Sequence, residues 1–256
     1  MKGLVAANLK MNLTGQQTLS LVKNYTKLIK KTRNDVVVCP SYTALHLVAP
    51  VIKKSKLHLG AQDIFYEQKG AFTGEISGAL LKEFGCKFSI IGHSERRNYL
   101  KESDELVNLK VKGCLKAGIT PILCVGEDAY SRDGGESFSF VEKQLRACIA
   151  GVEKKNIHKV AIAYEPIWAL STSANRRDIT SREITQMHNY IRKILKDIYD
   201  VRTAAGVRIL YGGSVNDQNI DEILKAENVN GVLVGAASLD AKKFARIIAA
   251  FDARKQ

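Results

Sequence analysis

Residues 231–235 form the sequence Gly-Val-Leu-Val-Gly, and residues 36–39 form Val-Val-Val-Cys. A strand with one solvated face alternates apolar and polar residues, and neither run shows this alternation. A short, near-continuous apolar run suits a strand that is covered on both faces. These two runs therefore favour a parallel sheet with helices packed on it.

Short apolar or β-branched runs of this kind recur along the chain. The eight runs are 3–7, 36–39, 57–62, 88–92, 120–125, 160–164, 208–212 and 231–235. Helical patterns lie between them, and the clearest has apolar residues three or four apart from Ile184 to Ile198. Thr180 precedes this pattern and Glu183 follows three residues later, which indicates a helix N-terminus at that point. Strands and helices are thus predicted to alternate throughout.

Eight strands in 256 residues correspond to about one strand and one helix per 32 residues. This spacing predicts an α/β fold, an eightfold (β/α) barrel with central parallel strands, formed by a single domain over 1–256. A doubly wound open sheet also alternates strands and helices. However, the sequence has no Gly-x-Gly-x-x-Gly after the first strand and no Walker lysine loop, so nucleotide binding lacks its usual motif.

The composition is that of a globular protein, with 45% hydrophobic and 25% charged residues. No apolar stretch approaches the ~20 residues of a membrane span, and the apolar stretch near the N-terminus is too short to be the hydrophobic core of a secretory signal. We therefore expect no membrane association and a cytoplasmic location. Five cysteines are scattered without a Cys-x-x-Cys pair, and we expect them to be buried thiols.

Polar residues stand where the predicted strands end, which is where a barrel of this kind carries its chemistry. Glu165 follows the sixth run and precedes Pro166, and a carboxylate held away from water there would be a stronger base. His93 follows the fourth run at an apparent helix start, which would keep its imidazole neutral. Lys10 follows the first run. Taken alone, each of these residues also fits a structural or surface role.

Small residues follow the last two predicted strands. Gly212-Gly213-Ser214 and Gly235-Ala236 would let backbone N–H groups approach an anion, and a following helix N-terminus favours negative charge. Gly-Gly is also simply a turn sequence. A phosphate site is therefore one of two interpretations of these loops.

Six motifs, in order along the whole chain, are far more specific together than singly. They are Asn8-x-Lys10-Met11-Asn12, residues 70–77 (Gly-Ala-Phe-Thr-Gly-Glu-Ile-Ser), 92–97 (Gly-His-Ser-Glu-Arg-Arg), 124–127 (Cys-Val-Gly-Glu), 163–169 (Ala-Tyr-Glu-Pro-Ile-Trp-Ala) and 211–215 (Tyr-Gly-Gly-Ser-Val). The pattern resembles the triosephosphate isomerase family, and the resemblance implies a TIM barrel. It also implies interconversion of dihydroxyacetone phosphate and glyceraldehyde 3-phosphate through an enediolate, in glycolysis and gluconeogenesis, with no cofactor and no metal.

The same resemblance implies a role for each matching residue. Glu165 would be the base that moves the proton. Neutral His93 would polarise the carbonyl, Lys10 would stabilise negative charge, Asn8 would donate to a substrate oxygen, and Glu95 would orient Lys10. The residues implied to hold the phosphate are Ser171, Gly213, Ser214, Gly235 and Ala236.

Two further features are implied by the resemblance. Residues 167–174 would form a lid over the substrate that excludes water from the enediolate, with Trp168 hydrogen-bonded to Glu127. The loop around Thr73 would dock beside the active site of a second copy, which makes a homodimer. The sequence alone predicts only a long exposed loop over residues 68–77.

The sequence departs from the family pattern mainly in the lid. Ser171 and Ser173 stand where the family usually has glycine, so freedom at positive φ is lost there. If closure needs positive φ, the closed lid is penalised by about 1 kcal/mol, roughly fivefold in population. Asp63 stands for a usual Asn and Ala236 for a usual Gly, and neither change removes a catalytic group.

Two rival interpretations remain. The formal net charge of +13 would suit a nucleic-acid binder. However, pairs such as Lys53-Lys54 and Lys242-Lys243 are spread over separate segments, which indicates a solvated basic surface and makes nucleic acid an unlikely partner. The other interpretation is a different phosphosugar isomerase on the same barrel. It does not explain why Asn8, Lys10, His93 and Glu165 all match the triosephosphate isomerase pattern.

Overall fold

Eight parallel strands close into a barrel in the computed structural model, which describes residues 1–170, 173 and 177–254. Each strand pairs with the next along the chain, and the eighth pairs with the first. The strands are β1 Leu4–Asn8, β2 Asp35–Cys39, β3 Leu57–Ala61, β4 Phe88–Ile91, β5 Thr120–Val125, β6 Ala161–Tyr164, β7 Arg208–Tyr211 and β8 Gly231–Val234. All eight predicted strands are confirmed, each to within one residue at either end, and so is the eightfold barrel.

Helices surround the strands. In the described part of the chain they are α1 Gly15–Leu28, α2 Leu45–Lys53, α3 Gly78–Glu83, α4 Ser94–Leu100, α5 Asp104–Ala117, α6 Ala129–Asp133, α7 Ser137–Cys148, α8 Lys154–Ile157, α9 Ser181–Ile198, α10 Val201–Ala205, α11 Ile220–Ile223 and α12 Ala241–Ala253. Helix α9 begins as predicted, because Thr180 and Glu183 form a reciprocal capping box. Short 3-10 turns cover Tyr42–Ala44, Ile167–Ala169 and Ala236–Leu239.

The two faces of each strand are buried in different cores. In β1, Leu4 and Ala6 point into the barrel, whereas Val5 and Ala7 pack against the surrounding helices. The same division holds around the barrel, as in β2, where Val37 faces inward. Because both faces are dry, apolar residues predominate on both of them, which explains the absence of a regular alternation in the sequence.

Two expectations from composition can be compared with the structure. In the described part of the chain, no helix combines the length and the apolar character that crossing a bilayer requires. The five cysteines are buried and form no disulfide, as predicted.

Candidate active site

Asn8 and Glu165 extend the inward-facing rows of β1 and β6 beyond the apolar core. Side chains on a strand alternate with a period of two, so Leu4 and Ala6 place Asn8 inside, and Ala161 and Ala163 do the same for Glu165. Both residues are buried, at 5% and 2% exposure. The strand period therefore directs an amide and a carboxylate into the carboxyl end of the barrel.

The Glu165 carboxylate has two different oxygens. Oε2 accepts a hydrogen bond of 3.3 Å from the backbone N–H of Ser94. Oε1 is buried and accepts none from the described residues, although His93 Nε2 lies 3.4 Å away. The Glu165 backbone is fixed by its N–H, which donates to the Val125 carbonyl at 2.8 Å. One oxygen is thus anchored and the other is free to act on a ligand.

His93 is the N-cap residue of α4. Its Nδ1 accepts a 3.2 Å hydrogen bond from the backbone N–H of Glu95. A ring nitrogen that accepts a hydrogen bond carries no proton, so this contact assigns the neutral ring with its proton on Nε2. The Glu95 carboxylate also approaches Nδ1, but at 3.6 Å it is beyond hydrogen-bond distance. The start of helix α4 therefore sets the tautomer, which leaves the proton on Nε2, on the side of the ring that lies 3.4 Å from Glu165 Oε1.

Lys10 adopts a left-handed backbone conformation with φ of 52°. This conformation costs a lysine roughly 1 kcal/mol, and two hydrogen bonds hold it. The Lys10 N–H donates to the Asn8 side chain at 3.0 Å, and its carbonyl accepts from Gln62 at 2.9 Å. The ammonium Nζ then lies 2.6 Å from Glu95 Oε1. The local backbone thus places the Lys10 ammonium at the carboxyl end of the barrel, where it pairs with Glu95.

Small residues after β7 and β8 complete the same end of the barrel. A Cβ atom added to Gly212 would lie 2.7 Å from Glu165 Cγ, so only glycine lets this loop pass the carboxylate. The N–H groups of Gly213 and Ser214 donate to none of the described residues. The Ser214 carbonyl accepts from the Asn219 side chain at 2.7 Å, which fixes the loop.

These residues line one cavity of about 450 Å³, here called the mouth cavity. Its lining includes Asn8, Lys10, His93, Glu165, Gly213, Ser214, Gly235 and Ala236. Glu95 is not among the lining residues and contacts the site through Lys10. Ser171 lies outside the described residues. Within the described ranges, no group of three His, Cys, Asp or Glu side chains is placed to hold a metal ion.

The segment after Glu165 is held by a buried carboxylate. Glu127 Oε1 accepts hydrogen bonds from Trp168 Nε1 at 2.8 Å and from the Tyr164 hydroxyl at 3.0 Å. The predicted contact of Glu127 with Trp168 is therefore confirmed. Burial raises the pKa of Glu127, and the two donors oppose that rise. The Arg132 guanidinium lies 3.6 Å from the centre of the Trp168 ring, which adds a cation–π contact.

Three contributors to the site do not follow from the ends of the strands. Ser94 acts through its backbone N–H, which no side-chain pattern announces. Asp240 and Lys243 line the cavity from the first turn of α12, beyond the 3-10 turn after β8. Lys243 could have been assigned to the site only from the helical spacing of residues in α12, because the alternation along the strands does not reach it.

Comparison with known proteins agrees with this geometry. The family model for triosephosphate isomerase matches residues 3–251. The triosephosphate isomerase of Aquifex aeolicus is 42% identical over 252 residues, 98% of this chain and 100% of that protein. That of Endomicrobium trichonymphae is 44% identical over 248 residues, 96% of this chain and 98% of its own. The crystal structure of triosephosphate isomerase from Bartonella henselae superposes with a TM-score of 0.87 at 32% identity, covering 98% of this chain and 99% of that one.

Proposed function

The chain belongs to the triosephosphate isomerase family, and from this premise we propose that its mouth cavity performs the isomerisation through an enediolate. The reaction is the interconversion of dihydroxyacetone phosphate and D-glyceraldehyde 3-phosphate, a step of glycolysis and gluconeogenesis. The observation that carries the proposal is the placement of a free carboxylate oxygen of Glu165 3.4 Å from His93 Nε2 in a cavity that Lys10 also lines. We further propose that the protein works in the cytoplasm, where glycolysis proceeds.

Glu165 is the base. Oε1 takes a proton from the carbon beside the substrate carbonyl, and the C–H electron pair forms the C=C bond of the enediolate. The same carboxyl returns the proton to the neighbouring carbon, and the hydroxyl proton moves from one substrate oxygen to the other, so no atom is gained or lost. The hydrogen bond from Ser94 to Oε2 supports this role, because it holds the carboxylate while Oε1 reacts.

His93, Lys10 and Asn8 act on the oxygens. The proton on His93 Nε2 donates to the carbonyl oxygen as negative charge develops on it. Lys10 supplies a full positive charge to the same region, where removal of water strengthens it. Asn8 donates through its amide, and Glu95 positions the Lys10 ammonium at 2.6 Å.

The substrate phosphate is held at the β7 and β8 loops. Gly213 and Ser214 offer N–H groups that donate to none of the described residues, and Gly235 and Ala236 precede and begin the 3-10 turn Ala236–Leu239. Ala236 retains the backbone N–H that the usual glycine would supply. Ser171 contributes a further N–H from the lid.

The assembly is a homodimer formed through the Thr73 loop. Met11, next to Lys10, is 96% exposed, and Phe72 beside Thr73 is 41% exposed. Exposed apolar side chains such as these suit burial against a second copy. Sedimentation of the purified protein should give a dimer, and Met11→Glu should shift it towards monomer.

The activity is tested by isomerisation of glyceraldehyde 3-phosphate by the purified protein, read with an enzyme that consumes dihydroxyacetone phosphate. Glu165→Asp withdraws the base by one methylene, and a displacement of about 1 Å costs on the order of a hundredfold in rate. Glu153→Asp makes the same change at an exposed residue and should leave the rate unchanged. A folded protein with no activity, or equal losses in both variants, would contradict the proposal.

A further inference from the structure

Six lysines, here called the loop lysines, occur in pairs at three successive helix-to-strand connections, either in the last turn of the helix or in the loop after it, at the amino end of the barrel, opposite the mouth cavity. Lys30 and Lys31 follow α1, Lys53 and Lys56 lie at and after the end of α2, and Lys82 and Lys87 lie within and after α3. Strands β2, β3 and β4 are adjacent and parallel, so the loops that lead into them meet at one edge. Segments that are far apart in the sequence thereby bring their cations together.

These loops enclose a groove of about 1040 Å³, here called the lysine groove. Its lining includes Lys2, Lys30, Lys31, Lys53, Lys56, Lys82, Lys87, His46, His58, Pro50, Leu57, Glu83 and Phe84. Leu57 is buried in the wall, whereas Pro50 and Phe84 are exposed. The groove therefore combines an apolar surface with a basic rim.

The positive charge of the groove is largely uncompensated. None of the six loop lysines forms an ion pair with a residue in the described ranges, and all six are exposed. Among the described residues that line the groove, Glu83 is the only acidic one. Lys2 and His58 differ from the loop lysines, because Asp35 lies 2.5 Å and 3.4 Å from them.

Helix ends account for only part of this charge. The carboxyl ends of α1, α2 and α3 meet here, and a lysine near a helix carboxyl end is commonly explained by the helix dipole. Each end carries at most about half a negative charge. Three helix ends and Glu83 together therefore offset two or three of the six lysines, and three or more remain in excess.

We propose that the lysine groove binds a small organic polyphosphate, with several phosphoryl groups on the lysines and the organic part against Phe84 and Pro50. Lysine is a point charge that binds phosphate without the fixed geometry of arginine, so affinity should follow the number of phosphoryl groups. The volume is that of a small-molecule site, roughly 300–1,000 Å³. Its concave shape favours a small ligand over a nucleic-acid strand.

The test is calorimetric titration of the purified protein with orthophosphate, tripolyphosphate and ATP at physiological salt. Tripolyphosphate should bind at least about tenfold more tightly than orthophosphate. ATP should bind at least as tightly as tripolyphosphate, and Phe84→Ser should remove any advantage of ATP. Equal binding of both ligands in the Phe84→Ser variant would confirm the apolar contact. Weaker binding of ATP to the parent protein would assign the groove to inorganic polyphosphate and overturn the organic part of the proposal.

Two triple variants separate the groove from net charge. Lys31→Gln/Lys56→Gln/Lys87→Gln removes three groove lysines, and Lys116→Gln/Lys143→Gln/Lys196→Gln removes three exposed lysines elsewhere. Tripolyphosphate affinity should fall about tenfold or more in the first and less than twofold in the second. Isomerase activity should be unchanged in both, which shows that they remain folded.

Four results would overturn the proposal. They are equal weakening in the two triple variants, no binding to the parent protein at physiological salt, inhibition of the isomerase by tripolyphosphate at its own dissociation constant, and tighter binding of single-stranded RNA to the same lysines. The third result would place the anion in the mouth cavity. The fourth would assign the groove to nucleic acid.

Discussion

The two ends of the barrel use lysine in opposite ways. At the carboxyl end, Lys10 is fixed by a left-handed backbone and lies 2.6 Å from Glu95. At the amino end, Lys53 at the end of α2 and Lys56 after it are exposed and form no ion pair with the described residues. A fixed charge can stabilise a transition state without reorganisation, whereas mobile charges mainly attract an anion. The contrast teaches that orientation, more than the number of charges, distinguishes the reactive end.

The largest effect is expected from removing one lysine at each end. Lys10→Gln deletes the oriented charge and should lower kcat by about 10²–10³, the usual cost of one such transition-state contact. Lys53→Gln deletes an equal charge at the other end and should leave kcat within about twofold. Steady-state kinetics of the two variants decides the point. Comparable losses of kcat would mean that the position of the Lys10 charge has no special role in catalysis.

A second comparison uses glycine at the two ends. Gly212→Ala places a Cβ 2.7 Å from Glu165 Cγ and should displace the base, which costs up to about a hundredfold in kcat. Gly206→Ala at the end of α10 meets nothing closer than a carbonyl oxygen at 3.4 Å and should be silent. Retention of full activity in Gly212→Ala would show that the carboxylate tolerates a shift in position.

The lid should show a smaller effect. Restoring glycine at Ser171 and Ser173 returns freedom at positive φ, and if closure needs positive φ there, the closed lid gains about 1 kcal/mol. We expect kcat/KM for glyceraldehyde 3-phosphate to rise by up to about fivefold. The double variant is compared with the parent under identical conditions. An unchanged value would show that serine does not hinder closure.

Patterns of short period made most of the fold predictable. Continuous apolar runs identified all eight strands because each strand is buried on both faces. The period of two then explains why Asn8 and Glu165 point into the mouth cavity, although their roles came from the family resemblance. The Lys10–Glu95 contact was predicted only from that resemblance, because it joins residues 85 positions apart.

The lysine groove could not be predicted from the sequence for a related reason. Lys31, Lys56 and Lys87 are separated by whole strand–helix units, and in the sequence they are indistinguishable from lysines on a solvated surface. Only the order of neighbours in the closed barrel brings β2, β3 and β4 to one edge. Charge clustering is therefore a property of the topology, which no local pattern contains.

Two aspartates, one at each end, provide the smallest and most discriminating comparison. Burial raises the pKa of Asp63, beyond β3, to about 6, although Lys110 and Arg96 oppose the rise. Burial acts the same way on Asp35, at the start of β2, but hydrogen bonds from His58, Lys2 and Arg208 outweigh it and hold its pKa well below the usual range. The two carboxylates should therefore respond to pH with opposite sign.

The sign follows from proton binding. A carboxyl whose folded pKa is raised adds stability below its unfolded pKa of about 4, and that stability is lost as the pH rises through about 6. The free energy of unfolding of Asp63→Asn, relative to that of the parent, should therefore rise by about 0.5–1 kcal/mol between pH 4.5 and pH 7. The full shift of about two pKa units would be worth more, but Asp63 shares Lys110 and Arg96 with Glu102. Urea unfolding at both pH values measures the change.

Asp35→Asn is the matched control. The stability from Asp35 is present above its unfolded pKa and is lost only as the pH falls through the much lower folded value, so it hardly changes between pH 4.5 and 7. Asp35→Asn should therefore destabilise the protein by nearly the same amount at both pH values. If the free energies of unfolding of the two variants instead change in parallel with pH, the pH dependence arises from the net charge of the whole protein. Burial of Asp63 and hydrogen bonding of Asp35 would then not account for different responses to pH.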